Sequence, residues 1–210
     1  MNTPFKQKSD LHLLRKAWHV LGVLGLFLIW KLFQFPISTY LFILCWFAFV
    51  PGDIIRVKYP KYNQIFNKFF KLILRSTELN KLAGTTYLLT SVIFISLIFS
   101  KWVVGLSLLF LAFADPLASY AGIKWGRHKI FGHKSFEGFF AAFLVCTILT
   151  FTVLTYLDIR TSLYLVSLLA GLCGALAELI PLGDMDDNFT MPILSSICLY
   201  FLFIFFNIHL

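Results

Sequence analysis

Residues 114–138 read ADPLASYAGIKWGRHKIFGHKSFEG. An apolar run reaches Asp115, gives way to a cluster of Lys, Arg, His and Gly, and turns apolar again from Phe136 onward. A carboxylate inside an apolar span costs roughly 2.5–3.5 kcal/mol on insertion scales, so Asp115 needs a partner and a purpose. The partners must come from elsewhere in the chain.

Hydrophobic residues make up 59% of the 210 and charged residues 13%. A soluble domain carries about 25% charged residues, so this composition excludes that class. A span needs about 20 mostly apolar residues, and seven stretches qualify: about 19–34, 37–55, 82–100, 102–122, 137–157, 162–180 and 190–208. They use nearly the whole chain, which predicts one all-α, polytopic membrane domain over 1–210 and no soluble domain. The polar start, MNTPFKQKSD, leads directly to Arg15 and Lys16. With no short apolar core or small-residue cleavage site there, no cleaved signal peptide is expected. Cys45, Cys146, Cys173 and Cys198 fall inside predicted spans without Cys-x-x-Cys spacing, and read as small apolar side chains.

Charge sets the expected orientation. With a cytoplasmic N-terminus, all of the 18 Lys and Arg except Lys31, Lys101 and Arg160 lie on the cytoplasmic side, as the positive-inside rule requires. The net charge of +8 is thereby a topology signal, and no nucleic-acid partner is implied. All of the ten acids except Asp158 share that side, which the rule does not predict. Two signs crowded on one face suggest a site.

Along the chain, RKAWH (15–19) places Arg15 and His19 on one helical face beside Lys16. They read either as a basic flank with an interfacial Trp18 or as ligands for an anionic headgroup or phosphate. In FVPGDIIR, Pro51 and Gly52 are expected to disturb the second span before Asp53. Asp53 and Arg56, three apart, can pair. The segment from Lys58 to Lys81 sets Ile65, Phe66, Phe69, Phe70 and Ile73 against Lys61, Lys68, Lys71 and Arg75. That pattern predicts an amphipathic helix in the cytoplasmic interface, with Glu78 its one acid. Pro116 disfavours helix at Asp115, and a broken, charged helix is tolerated where it lines a polar cavity. Asp115, Ser119, Gly122 and Gly126 then recur at nearly one-turn intervals.

Lys124, Arg127, Lys129 and Lys134, with Gly126 and Gly132, make a loop suited to phosphate. It ends at Ser135, an expected N-cap, with Glu137 in the first turn. A helix N-terminus beside Lys134 favours an anion. This is not a Walker A loop, because Gly126 to Gly132 is one residue too long and His133 separates Gly132 from Lys134. After a sixth span with a small-residue face (Ala170, Gly171, Gly174, Ala175, Ala177) come Glu178, Asp184, Asp186, Asp187 and Asn188, with almost no basic residue among them. Grouped carboxylates suit Mg²⁺, which takes one or two of them plus phosphate oxygens and water. Capping by Asn188 or Thr190 would account for part of the group. A basic, Gly-bearing loop and an acidic loop at broken helix ends on one face fit a nucleoside triphosphate with Mg²⁺. Embedding in the bilayer points to a lipid hydroxyl as acceptor.

The ordered set RKAWH, DIIR, GTTYLL, ADPLASYAGIKWG, HKSFEG and AELIPLGDMDDNFTMPILSS resembles the CTP-dependent lipid kinase family. That family contains dolichol kinases, phytol kinases and CTP-dependent diacylglycerol kinases, and is distantly similar to phosphatidate cytidylyltransferases. The resemblance implies CTP as phosphoryl donor, Mg²⁺, and a lipid alcohol as acceptor, with diacylglycerol and its product phosphatidate foremost. It marks Arg15, Lys16, His19, Asp53, Arg56, Asp115, Gly122, Gly126, Lys134, Ser135, Glu137, Gly138, Glu178, Asp186, Asp187 and Asn188. Asp115 and Asp187 are candidates for metal binding or for orienting the acceptor. Glu178 and Asp186 are further metal candidates. Lys134, Lys124 and Arg127 are candidates for the phosphates, with Glu137 and Glu178 to hold those cations. A cytidylyltransferase would use the same groups to attack the α-phosphorus. An ion-coupled transporter would place its acids near the midplane between repeated halves, a pattern this chain lacks.

Overall fold

A computed structural model describes residues 13–70, 79–160, 162–183 and 185–208. Lys71, Ile73, Arg75, Glu78 and Asp184, all singled out above, lie outside the described residues. Eight helices dominate: α1 (Leu13–Leu32), α2 (Ile37–Lys58), α3 (Pro60–Phe70), α4 (Gly84–Ile98), α5 (Lys101–Lys124), α6 (Phe136–Tyr156), α7 (Leu163–Leu179) and α8 (Asp187–Phe205). Two short antiparallel strands, β1 (Lys129–Phe131) and β2 (Lys134–Ser135), stand between α5 and α6.

Five helices, α1, α2, α5, α6 and α8, are long and apolar enough to cross a membrane. The chain is an integral membrane protein. The other two expected spans form shorter apolar helices, α4 with 15 residues and α7 with 17. Both were expected to be longer; at the start of α4 the Ala83 amide is bound by Asp53, and Ser162 before α7 adopts a left-handed conformation. The β1–β2 hairpin, turning at Gly132 with φ +53°, was not anticipated, because the Lys and His around it mask any strand alternation.

The core is built around α5, the most buried of the five long apolar helices. It buries Val104, Leu106, Leu108, Phe110 and Leu111 completely, which is why its sequence is apolar on all sides. Helices α1, α6 and α8 pack directly on it, and α7, α4 and α2 complete the ring. The small-residue face of α7 meets α6. A Cβ added at Gly171 would strike Thr147 Oγ1 and one at Gly174 would lie 2.5 Å from Cys146 Sγ, so glycine is what allows these two backbones to approach. Polar contacts join other helices, as Ser196 to Ser107 at 2.8 Å and Thr39 to Ser96 at 3.2 Å.

Neither proline breaks its helix. α2 continues through Pro51 and α5 through Pro116. A helix-internal proline removes one donor and crowds the preceding turn. Around Pro116, α1 lies close to α5: His19 Nε2 is 3.1 Å from Leu111 O, and Lys16 Nζ donates to Pro116 O at 3.2 Å. The expected cavity-lining break at Asp115 is replaced by a continuous helix.

Candidate active site

Short connections bring the C-terminal ends of α5 and α7 and the N-terminal ends of α6 and α8 to one end of the bundle. Their meeting point is Lys134. Its ammonium lies 3.1 Å from Glu178 Oε1 at the end of α7 and 3.5 Å from Asp187 Oδ2 at the start of α8. It also donates to the backbone carbonyl of Glu178. Burial alone would lower the Lys134 pKa; the charges of Glu178, Asp187 and Asp115 reverse this and raise it above its ordinary value. Three carboxylates thus act on one ammonium.

Asp115 faces α1, where His19 Nε2 lies 3.8 Å from its Oδ2. Lys16 reaches the same turn of α5 and stands over the Tyr120 ring. Arg15 lies half-buried one residue earlier. Sequence spacing paired Arg15 with His19; near Asp115, Lys16 and His19 both reach α5.

Beside this cluster the backbone is packed tightly on one hydroxyl. Ser135 is buried and caps α6, its Oγ accepting from Gly138 N at 3.2 Å. A Cβ at Gly126 would lie 2.7 Å from that oxygen and one at Gly122 3.1 Å. A Cβ at Gly138 would stand 2.8 Å from Ala118 O. Glycines 122, 126 and 138 therefore let α5, the hairpin and α6 converge. Glu137 fastens the hairpin: its Oε1 accepts from Arg127 N at 3.1 Å and His128 N at 3.3 Å, and lies 3.0 Å from His128 Nδ1. It grips backbone and a histidine rather than the Lys or Arg side chains expected of it. Lys124 stays against Tyr120 Oη at 3.1 Å and the Trp125 ring. Lys129 donates to Gly122 O at 3.2 Å.

Two expected members stand in a different network. Asp53 and Arg56 are 2% and 1% exposed. Arg56 Nε and Nη2 donate to Asp53 Oδ1 at 2.9 and 2.8 Å. Arg56 also donates to Asn63 Oδ1 at 3.1 Å and Lys81 O at 2.7 Å, and its guanidinium covers the Phe66 ring. Asp53 Oδ2 accepts from Ala83 N at 2.8 Å and Thr86 Oγ1 at 2.7 Å. The pair thus caps α4 from α2 and clamps α3 beneath it. Arg56, taken from the sequence as a phosphate ligand, is enclosed by protein here. Thr86, Asn63 and the Ala83 amide were missed; GTTYLL after an irregular stretch was the available signal for a helix start needing a cap.

Asp186 and Asn188 are likewise engaged locally. Asp186 Oδ1 accepts from Asn188 N at 3.0 Å and Asn188 Nδ2 at 2.6 Å, capping α8. Gly84 abuts this cap, since a Cβ there would lie 2.6 Å from Asn188 Nδ2. Asp186 itself, rather than Asn188 or Thr190, is the cap.

No family model and no solved structure matches the chain. Curated relatives do match. CTP-dependent diacylglycerol kinase 1 of Saccharomyces cerevisiae is 32% identical over 165 residues, 69% of this chain and 57% of that protein. Its namesake in Eremothecium gossypii is 33% identical over 168 residues, 70% of this chain and 53% of its own length. That of Schizosaccharomyces pombe is 29% identical over 170 residues, 73% of this chain and 77% of its own length. Over about 70% of its length this chain is similar to CTP-dependent diacylglycerol kinases. It spans little more than half the length of the Saccharomyces and Eremothecium proteins.

Among the described residues no three His, Cys, Asp or Glu side chains gather closely enough to cage a metal. A Mg²⁺ ion carried by a triphosphate needs only one or two carboxylates. The donor chemistry fits that demand: the oxygens of Glu178 and Asp187 already share one cation, and Asp115 adds its charge to the same place.

Proposed function

We propose that this protein transfers the γ-phosphoryl group of CTP to the hydroxyl of a membrane lipid alcohol, diacylglycerol, giving phosphatidate and CDP. The observation that carries the reading is the convergence of Glu178, Asp187 and Asp115 on Lys134 at one end of a membrane bundle, in a chain similar to CTP-dependent diacylglycerol kinases. Phosphoryl transfer needs positioning and charge neutralisation more than covalent help. Lys134 supplies a cation for the phosphates, with Lys124 and Arg127 at the rim and Arg15, Lys16 and His19 approaching from α1. The glycine-lined approach at Gly122 and Gly126, with the Ser135-capped start of α6, suits an anion.

Asp115 is placed to orient the acceptor hydroxyl and take its proton as that oxygen bonds to the γ-phosphorus and the bond to the β-phosphate oxygen breaks. Glu137 holds the hairpin that carries Lys134. Asp187 and Glu178, with Asp115, are the residues that would hold Mg²⁺, which when bound neutralises phosphate charge. Asp53, Arg56, Asp186 and Asn188 shape the ends of α4 and α8. The whole chain acts as one catalytic domain, with its N-terminus and this site on the cytoplasmic side and α3 lying in that interface. The charge distribution supports that orientation.

The test incubates purified protein with Mg²⁺, diacylglycerol or a polyprenol, and CTP labelled at either the γ- or the α-phosphate. Label from the γ position in extracted lipid is the expected result, with diacylglycerol accepting. Label from the α position would make the protein a cytidylyltransferase and end this reading. Acceptance by the polyprenol alone would change the substrate and keep the chemistry.

A further inference from the structure

Lys134 lies within ion-pair distance of both Glu178 and Asp187, shared between them at 3.1 and 3.5 Å. Both carboxylates come from helix ends fixed by other contacts: α7 by its glycine face against α6, α8 by the Asp186 cap. Both carboxylates therefore stand within reach of one ammonium. Like charges so placed repel, and a cation between them relieves it. Lys134 reaches this position from the two-residue strand β2, just after the turn at Gly132 and just before the α6 cap. Its side chain is the cation that spans the two carboxylates.

We propose that Lys134 is a built-in counter-ion that fills the divalent cation's place until the nucleotide arrives. In the empty protein the ammonium bridges Glu178 and Asp187. The triphosphate offers Lys134 a stronger anionic partner, and the carboxylates it leaves become ligands for the metal that accompanies the nucleotide. One side chain thereby serves in turn as metal substitute and as phosphate ligand. Free Mg²⁺ is excluded, because binding it alone would require both shedding its water and evicting an ammonium that has nowhere better to go. The proposal rests on the phosphoryl-transfer reading for the identity of the incoming anion.

The test reads metal binding rather than turnover. Mn²⁺ is titrated into the purified full chain in detergent, without nucleotide, and free Mn²⁺ is followed by electron paramagnetic resonance. Lys134→Met is expected to bind Mn²⁺ about tenfold or more tightly than the wild type, since one unit of opposing charge has left the site. Lys134→Arg, which keeps the charge, should bind as weakly as wild type, and Lys134→Met with Glu178→Gln should lose the gain. Lys134→Met binding no more tightly than wild type would overturn the proposal. A second measurement needs no variant: Mn²⁺ alone should leave the wild-type unfolding midpoint unmoved at concentrations where Mn²⁺ with CTP raises it. An equal rise from Mn²⁺ alone would also overturn it. Lipid labelling keeps the two ideas apart. Label transfer with no gain in Lys134→Met sinks the counter-ion and leaves the kinase, while a gain without label transfer does the reverse.

Discussion

Two acid–base clusters stand at the same end of this bundle, and they are built on opposite plans. In the Asp53–Arg56 network both side chains are almost fully buried, and both carboxylate oxygens of Asp53 have defined donors. The Arg56 fork is spread over Asp53, Asn63 and the carbonyl of Lys81. In the Lys134 cluster one ammonium is shared by Glu178 and Asp187, with Asp115 acting on it as well, and the Asp187 side chain is 35% exposed. The first arrangement is closed and has no valence left for a ligand. The second shares one ammonium between two carboxylates and is open to solvent at Asp187. Charge balance and exposure, rather than the presence of charged residues, separate the structural network from the candidate site.

The largest expected effect comes from opening the closed network. Asp53→Ala strands a buried guanidinium and uncaps α4, which should cost about 3–5 kcal/mol. Thermal unfolding in detergent should show a large fall in midpoint, with phosphoryl transfer lost alongside it. A stable, selectively inactive Asp53→Ala protein would break the comparison by placing Asp53 in the chemistry. Lys134→Met should do the converse. Transfer from γ-labelled CTP should drop on the order of 100-fold, the scale for removing one group that stabilises transition-state charge, while the midpoint falls less than in Asp53→Ala.

Gly84→Ala probes the link between the two regions, because the new methyl must push Asn188 Nδ2 away from Asp186 Oδ1 beside the cap. Loss of such a side-chain hydrogen bond costs about 1 kcal/mol. Since Asp187 follows directly, transfer should slow several-fold more than stability alone accounts for; an unchanged rate would show that the α8 start tolerates the shift. Ser135→Ala removes the α6 cap and should lower stability by about 1 kcal/mol in the same unfolding assay. At the opposite end, Asp158 and Arg160 form an exposed pair, 85% and 66% accessible. Arg160→Ala should leave the midpoint within about 0.5 kcal/mol of wild type. A larger loss there would show that exposure is a poor guide to structural weight in this protein.

Much of the candidate site was legible in the residues. Asp115 stood out because a carboxylate in an apolar run is costly, and Glu178 and Asp187 because an acidic stretch contradicts the positive-inside pattern. Lys134 stood out as a cation beside a helix start. Which acids would meet which base was not legible, since Lys134 and Glu178 are 44 residues apart and no period connects them. Asp53 and Arg56 were read as site members or as a pair, and three-residue spacing could not choose between the two. Their burial depends on segments 63–66 and 79–86 folding over them. The expected breaks at Pro51 and Pro116 did not form: a proline removes one helix donor, and both helices continue through it.

The sequence by itself determined the membrane class, the order of the apolar helices, and the gathering of acids and bases at one end. These follow from composition and from the roughly 20-residue period of spans, which are properties of consecutive residues. Only the tertiary structure decided that α5 is the centre, that Asp53 caps α4, that Asp186 caps α8, and that Glu178, Asp187 and Asp115 converge on Lys134. Those outcomes depend on how close two helix ends come and on which donor reaches an oxygen first. Such distances are set by packing, as where Gly171, Gly174 and Gly84 admit their neighbours, and no reading along the chain contains them.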